Sequence, residues 1–100
     1  MVVLIAKFKA VDLAAADKLE QHLKNIQNIS LTDAEPGCSV YQGQRSDKDP
    51  LEFLMYEEYD DKAAVDAHMA SAHFGKLAAD APNLIAGGPA GIDISFWTRF

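Results

Sequence analysis

The chain has one cysteine, Cys38, which rules out an intramolecular disulfide framework and any zinc site built from cysteines. A lone cysteine in an apolar context is read as a small hydrophobe. Basic residues are scarce: nine Lys and Arg stand against fifteen Asp and Glu, for a net charge of -6, and they form no cluster. Binding to phosphate backbones needs grouped cations, so nucleic acid is not an expected partner. Long hydrophobic runs are missing too. The opening MVVLIAKFKA has no basic segment before its apolar stretch, and that stretch is too short for a signal sequence or a membrane span. The chain therefore reads as cytoplasmic, with no membrane partner. Repeats and low-complexity segments are also absent, and AGGPAG at 86–91 is a local loop, not an interdomain linker.

What is present suits one folded domain over residues 1–100. Hydrophobic residues make up 49% and charged residues 24%, far from the signature of disorder. A core drawn from 100 residues is modest, so covering more apolar surface by self-association is expected.

The periodicity alternates between two and 3.6 residues along the chain. Val2 to Ala10 alternates like a strand, with Val2, Leu4, Ala6 and Phe8 on one face and Val3, Ile5, Lys7 and Lys9 on the other. Both faces begin apolar, which predicts a central strand. Asp12 is placed to cap a helix whose apolar positions Leu13, Ala16, Leu19, Leu23 and Ile26 step by three and four, ending near Leu31 before EPGC. His22 falls at the polar boundary of that helix and is expected to be solvated. SVYQGQR and LEFLMYEEY read as strands joined by the turn SDKDP. In the second of these Phe53, Met55, Glu57 and Tyr59 share a face opposite Leu54, Tyr56 and Glu58, and Glu57 is expected to pair with a cation or bond backbone. DDKAAVDAHMA is a helix capped by Asp60 or Asp61, and SAHFGKLAADAP a shorter one that Pro82 should terminate. IDISFWTRF closes the chain as an alternating strand. This order implies two right-handed split βαβ units: an α+β, ferredoxin-like sandwich, its antiparallel sheet covered by helices on one face. The other face stays apolar in part, and a second copy joining sheet to sheet would make a dimeric α/β barrel.

Two of the three histidines lie in DAHMASAHF, at His68 and His73. On an unbroken helix, five positions place them roughly 140° apart, on different faces. Ser71 is a good N-cap, and a break there turns both rings toward one place. Three blocks carry a family resemblance: EPGCSVYQ at 35–42, DPLEFLMYEEYDDKAAVDAHMASAHF at 49–74, and the closing strand. The order of Phe53, Tyr56-Glu57, Tyr59, Ala63 or Ala64, His68 and Ser71-x-His73-Phe74 resembles the antibiotic biosynthesis monooxygenase family. The resemblance implies a dimeric barrel with a pocket between sheet and helices. It also implies chemistry without metal, flavin or haem in some relatives, and isomerisation of a small phosphorylated autoinducer-2 derivative in others. The places that haem-degrading relatives use are held here by Lys7 and the Ala-rich stretches around Ala67 and Ala78, so haem degradation is not expected.

The expected activity is a cofactor-independent monooxygenation of a small aromatic, polyphenolic or quinol-like substrate. His68 or His73 would be the base and Tyr56 an orienting donor. Phe53, Met55 and Phe74 would line the substrate side, with Trp97 as a pocket wall or an interface residue. No metal is expected, because the two histidines lack a third ligand at any recognisable spacing. The rival readings are an isomerase of a small phosphorylated metabolite, for which Lys7, Lys9 and Arg99 are the strand cations, and a non-catalytic ligand-binding or stress-related dimer.

Overall fold

The computed structural model describes residues 1–32 and 35–100. The elements run β1 (Val2–Lys9), α1 (Leu13–Ser30), β2 (Cys38–Arg45), β3 (Glu52–Tyr59), α2 (Lys62–Met69), α3 (Ala72–Leu84) and β4 (Asp93–Trp97), with a 3-10 turn over Gly88–Gly91. The sheet order is β2-β3-β1-β4 with every neighbour antiparallel, the ferredoxin-like arrangement, and β1 is central as its two apolar faces predict.

Caps fall where the sequence places them. Asp12 accepts from the Ala15 N–H, Asp61 from the Ala64 N–H and Ser71 from the Phe74 N–H, so each helix start has one orphan donor satisfied. Leu19, Leu23 and Ile26 of α1 are buried against the sheet, each stabilising the fold by roughly 1.5–3 kcal/mol. Their partners are Leu4, Ala6, Phe8, Phe53 and Met55 on the helix-covered face.

Two expectations fail. Pro82 does not end the last helix but lies inside it, near the end of Ala72–Leu84. The ring removes the bond that its own N–H would make and crowds the carbonyl one turn back, yet three residues on the Ile85 N–H still reaches the Ala81 carbonyl at 2.9 Å. His22 is not simply solvated: its Nε2 lies 2.7 Å from Asp80 Oδ2 and ties α1 to α3.

The uncovered sheet face carries Val3, Ile5, Leu54, Tyr56 and Trp97, aligned by the pairs Val3↔Trp97, Ile5↔Tyr56 and Lys7↔Leu54. Trp97 is 58% exposed there, while Arg99 reaches back to Glu58 Oε2 at 2.5 Å and to the Tyr56 hydroxyl at 3.2 Å.

Candidate active site

The break between α2 and α3 assembles the site. Ser71 is extended, and its hydroxyl donates to the His68 carbonyl at 2.6 Å while capping α3. The two imidazoles therefore meet near edge-on, their centroids 6.0 Å apart at 62°, instead of pointing to different faces. Between them sits a residue the sequence reading did not single out. Glu35, in the α1–β2 connection, accepts from His68 Nδ1 at 2.8 Å on one oxygen, and on the other from Ser30 Oγ at 2.7 Å and from His73 Nε2. A turn holds it, with the Glu35 N–H on the Thr32 carbonyl and the Cys38 N–H on the Glu35 carbonyl. Gly37 lets this turn press on α2, since a Cβ there would stand 2.6 Å from the Ala64 Cβ.

The electrostatics follow from burial and bonding. Burial pushes the Glu35 carboxyl up, but the bonds from Ser30, His73 and His68 outweigh it and hold the group below its ordinary range. His68 is 2% exposed, and desolvation lowers its pKa against the opposing pull of Glu35. A neutral His68 that donates through Nδ1 keeps its lone pair on Nε2, which lies 4.0 Å from Glu57 Oε1. Glu57 is a buried carboxyl raised to about 7, chiefly by desolvation, with the Tyr59 hydroxyl donating to Oε1 at 2.5 Å as the restraining influence. Among the described residues Glu57 has no Lys or Arg partner and no side-chain bond to backbone, against expectation. Arg99 goes instead to Glu58 on the other face, as strand alternation requires. Cys38 is buried, and desolvation pushes its thiol up to about 11, which suits a small hydrophobe better than a nucleophile.

His68 and Glu57 open on a cavity of about 190 Å³ between sheet and helices, walled mostly by Leu4, Ala6, Phe8, Met55, Phe74, Leu77, Ile85 and Ile92. Its remaining polar liner is Tyr41, the cross-strand partner of Glu57, whose ring centroid is 5.3 Å from that of His68. Half-exposed Met69 and Ile94 flank its outer side, at the α2 and β4 edge.

Of the residues chosen from sequence, the structure gathers His68, Met55 and Phe74 at this cavity. His73 stands behind His68 beside a surface depression shared with Ile26 and Lys76; it does not line the cavity and meets it through His68, by ring contact and by the shared Glu35. Phe53 is on the helix-covered face but stacks on Phe8, with centroids 5.4 Å apart, outside the lining. Tyr56 and Trp97 are not brought to the site. Tyr56 alternates with Glu57 along β3 and Trp97 pairs with Val3, so the pleat sends both to the uncovered face, where the Tyr56 hydroxyl donates to Glu58 at 3.0 Å.

The third ligand that the sequence could not supply for a metal is Glu35. One ligand atom each from Glu35, His68 and His73 lie within 4.8 Å of one another, a donor set that zinc or another first-row divalent ion accepts. Hydrogen bonds among the same groups account equally for the convergence.

One consequence is a stability term of predictable sign. The folded pKa of Glu57 is raised from 4.5 to about 7, so its contribution is fully present below pH 4.5 and is lost as pH rises through about 7. Glu57→Gln keeps an acceptor for Tyr59 and removes the charge. It is expected to stabilise the protein above pH 7 by roughly 3 kcal/mol and to do little near pH 4. Urea melts of both proteins across that range measure it, and equal midpoints at high pH would contradict a buried, reluctantly ionised Glu57.

A four-stranded antiparallel sheet with helices on one face, enclosing a mainly apolar cavity with polar groups at one end, defines a small ferredoxin-like α+β domain with a ligand-sized interior. The chain belongs to the antibiotic biosynthesis monooxygenase family, whose model matches residues 1–80. Among solved structures it is similar to PA3566 from Pseudomonas aeruginosa, at 27% identity over 99% of this chain and 93% of that one, with a TM-score of 0.86. It also resembles a putative antibiotic biosynthesis monooxygenase from Deinococcus radiodurans, at 22% identity over 100% and 93% of the two chains with a TM-score of 0.85. A third similar fold, from Nitrosomonas europaea, shares 20% identity over 99% and 98%, with a TM-score of 0.86. Among curated protein sequences none matches.

Proposed function

We infer that the protein is a monooxygenase of a small phenolic or quinol-like substrate, with His68 as the base. The observation that carries this reading is the free Nε2 of a buried imidazole facing an apolar cavity while a carboxylate holds its Nδ1. In such a site His68 takes a phenolic proton, and Glu35 stabilises the imidazolium that results. The apolar wall keeps water from the electron-rich anion, which reduces dioxygen itself. For a diphenol the balance is diphenol plus O2 giving hydroxyquinone plus water: one oxygen enters the ring, the other leaves as water, and the substrate supplies all four electrons. The chain's part is deprotonation, anion stabilisation and exclusion of water.

A phosphorylated substrate for an isomerase finds little support, because no Lys or Arg lines this cavity among the described residues. Lys9 is paired with Asp49 at 2.9 Å, and Arg99 lies on the other face. The test is oxygen uptake with small diphenols and quinols, with label from ¹⁸O₂ followed into the product. Ligands that bind without any uptake would leave a non-catalytic binding protein.

The same reading makes the working unit a homodimer joined through the uncovered sheet face, whose exposed Trp97 and part-exposed Ile5, Leu54 and Tyr56 lack a covering layer. Sedimentation at micromolar concentration is expected to show a dimer that Trp97→Glu splits. A monomeric parent protein sinks this arrangement.

A further inference from the structure

We propose that the cavity selects a single-ring ortho-diphenol, taken in with its two adjacent oxygens against Glu57, Tyr41 and His68 and its apolar edge trailing outward. This deepens the reading of the same cavity as a substrate site and rests on that reading. The argument starts from polar atoms that have no partner. Glu57 uses Oε1 for the Tyr59 hydroxyl, while its Oε2 has no hydrogen bond among the described residues, and neither has the hydroxyl of Tyr41. Both side chains are buried, at 5% and 2% exposure, yet among the described residues no fully sealed side-chain oxygen or nitrogen lacks a partner, so these two atoms are not fully sealed, and both residues line the cavity. His68 Nε2 adds a third.

Their placement sets the ligand's shape. Tyr41 and Glu57 are directly paired across β2 and β3, and His68 lies over both, so the polar groups occupy one end. The cavity then runs across β1 and β4, past Ala6 to Ile94, over a wall whose side chains, among the described residues, offer no further donor or acceptor beyond methionine sulfur. Adjacent strands are about 4.8 Å apart, so the exposed β4 edge lies more than a ring's width from Tyr41. Two neighbouring hydroxyls can face His68 Nε2 and the Glu57 carboxyl side by side, since Nε2 and Glu57 Oε1 stand 4.0 Å apart. The second hydroxyl of a para-diphenol would be carried into the apolar stretch, buried and unpaired, before it could reach solvent. Size agrees: a cavity of about 150 Å³ accepts benzene, so about 190 Å³ takes one ring with a few substituents.

The experiment is calorimetric titration of the full chain with catechol, hydroquinone and phenol under nitrogen, so that binding is read without turnover. Catechol is expected to bind at least about tenfold more tightly than hydroquinone, the discrimination expected when a buried hydroxyl is left unpaired. Glu57→Gln and, separately, Tyr41→Phe should shrink the preference for catechol over phenol. Hydroquinone binding as tightly as catechol overturns the proposal, as does failure of all three ligands to bind. A catechol preference without oxygen uptake in air leaves the proposal standing and removes the monooxygenase reading, so the two fail separately.

Discussion

Replacing Glu35 with alanine is expected to cost about 3–5 kcal/mol of folding stability, the loss typical of removing one partner from a buried charged cluster. The change strands more than one group. His68 Nδ1–H loses its acceptor where the ring is 2% exposed, the Ser30 hydroxyl loses its partner in a fully buried setting, and His73 loses the contact that ties α3 to the α1–β2 connection. Against a typical net stability of about 5–15 kcal/mol this is a large share, and comparison with Glu35→Gln separates shape from charge. Glutamine can accept from one imidazole through its oxygen, but its amide presents donors to the other, so it should recover only part of the loss. The pH dependence has a definite sign. The folded pKa of Glu35 is lowered, so its contribution is present above 4.5 and is lost as pH falls through the folded value. Parent and variant should therefore converge in acid. Urea denaturation at neutral and acidic pH measures both effects, and a neutral-pH cost below about 1 kcal/mol would mean that the cluster is a surface-like ion pair and no keystone of the site.

How much of this was legible depends on whether the governing interaction is local. Strand alternation put Phe53, Met55, Glu57 and Tyr59 on one face, and the same rule would have excluded Tyr56 had the pocket side been known. Capping chemistry at Asp12 and Ser71 is a three-residue matter and could be read directly. Glu35 could not. It meets His68 across 33 positions and His73 across 38, and its aim is set by a turn whose approach to α2 depends on Gly37. Tyr41 was hidden for a different reason. The β2–β3 register shifts between Cys38 and Val40, so Cys38 and Tyr41, an odd number of positions apart, both face the core, a pairing that simple alternation forbids. Pro82 failed in the opposite direction, as a strong local signal overruled because Leu77, Ala81 and Leu84 pack on both sides of it.

Replacing His68 with alanine is expected to lower kcat/KM for a phenolic substrate by about 10²–10⁴, the usual worth of a positioned general base, with a smaller effect on ligand affinity. The pH profile carries the more specific signature. Desolvation lowers the pKa of His68, so the base form persists below the ordinary histidine value and the acid limb should lie on that side of 6.5. Glu57 titrates at about 7, and its ionisation places a negative charge beside the phenolate that must form, so activity should fall again as pH rises through that value. The limbs belong to the interacting pair more than to either residue alone, since Glu57 Oε1 and His68 Nε2 are 4.0 Å apart. Glu57→Gln separates them: it should abolish the alkaline limb and leave the acid one, whereas His68→Ala should leave no limb from the imidazole. Tyr56→Phe serves as the control for geometry, because Tyr56 bonds Glu58 and Arg99 on the far side of the sheet and turnover should stay close to that of the parent. An unchanged rate in His68→Ala with a large loss in Tyr56→Phe would move the chemistry to the other face of the sheet and remove the cavity from the mechanism.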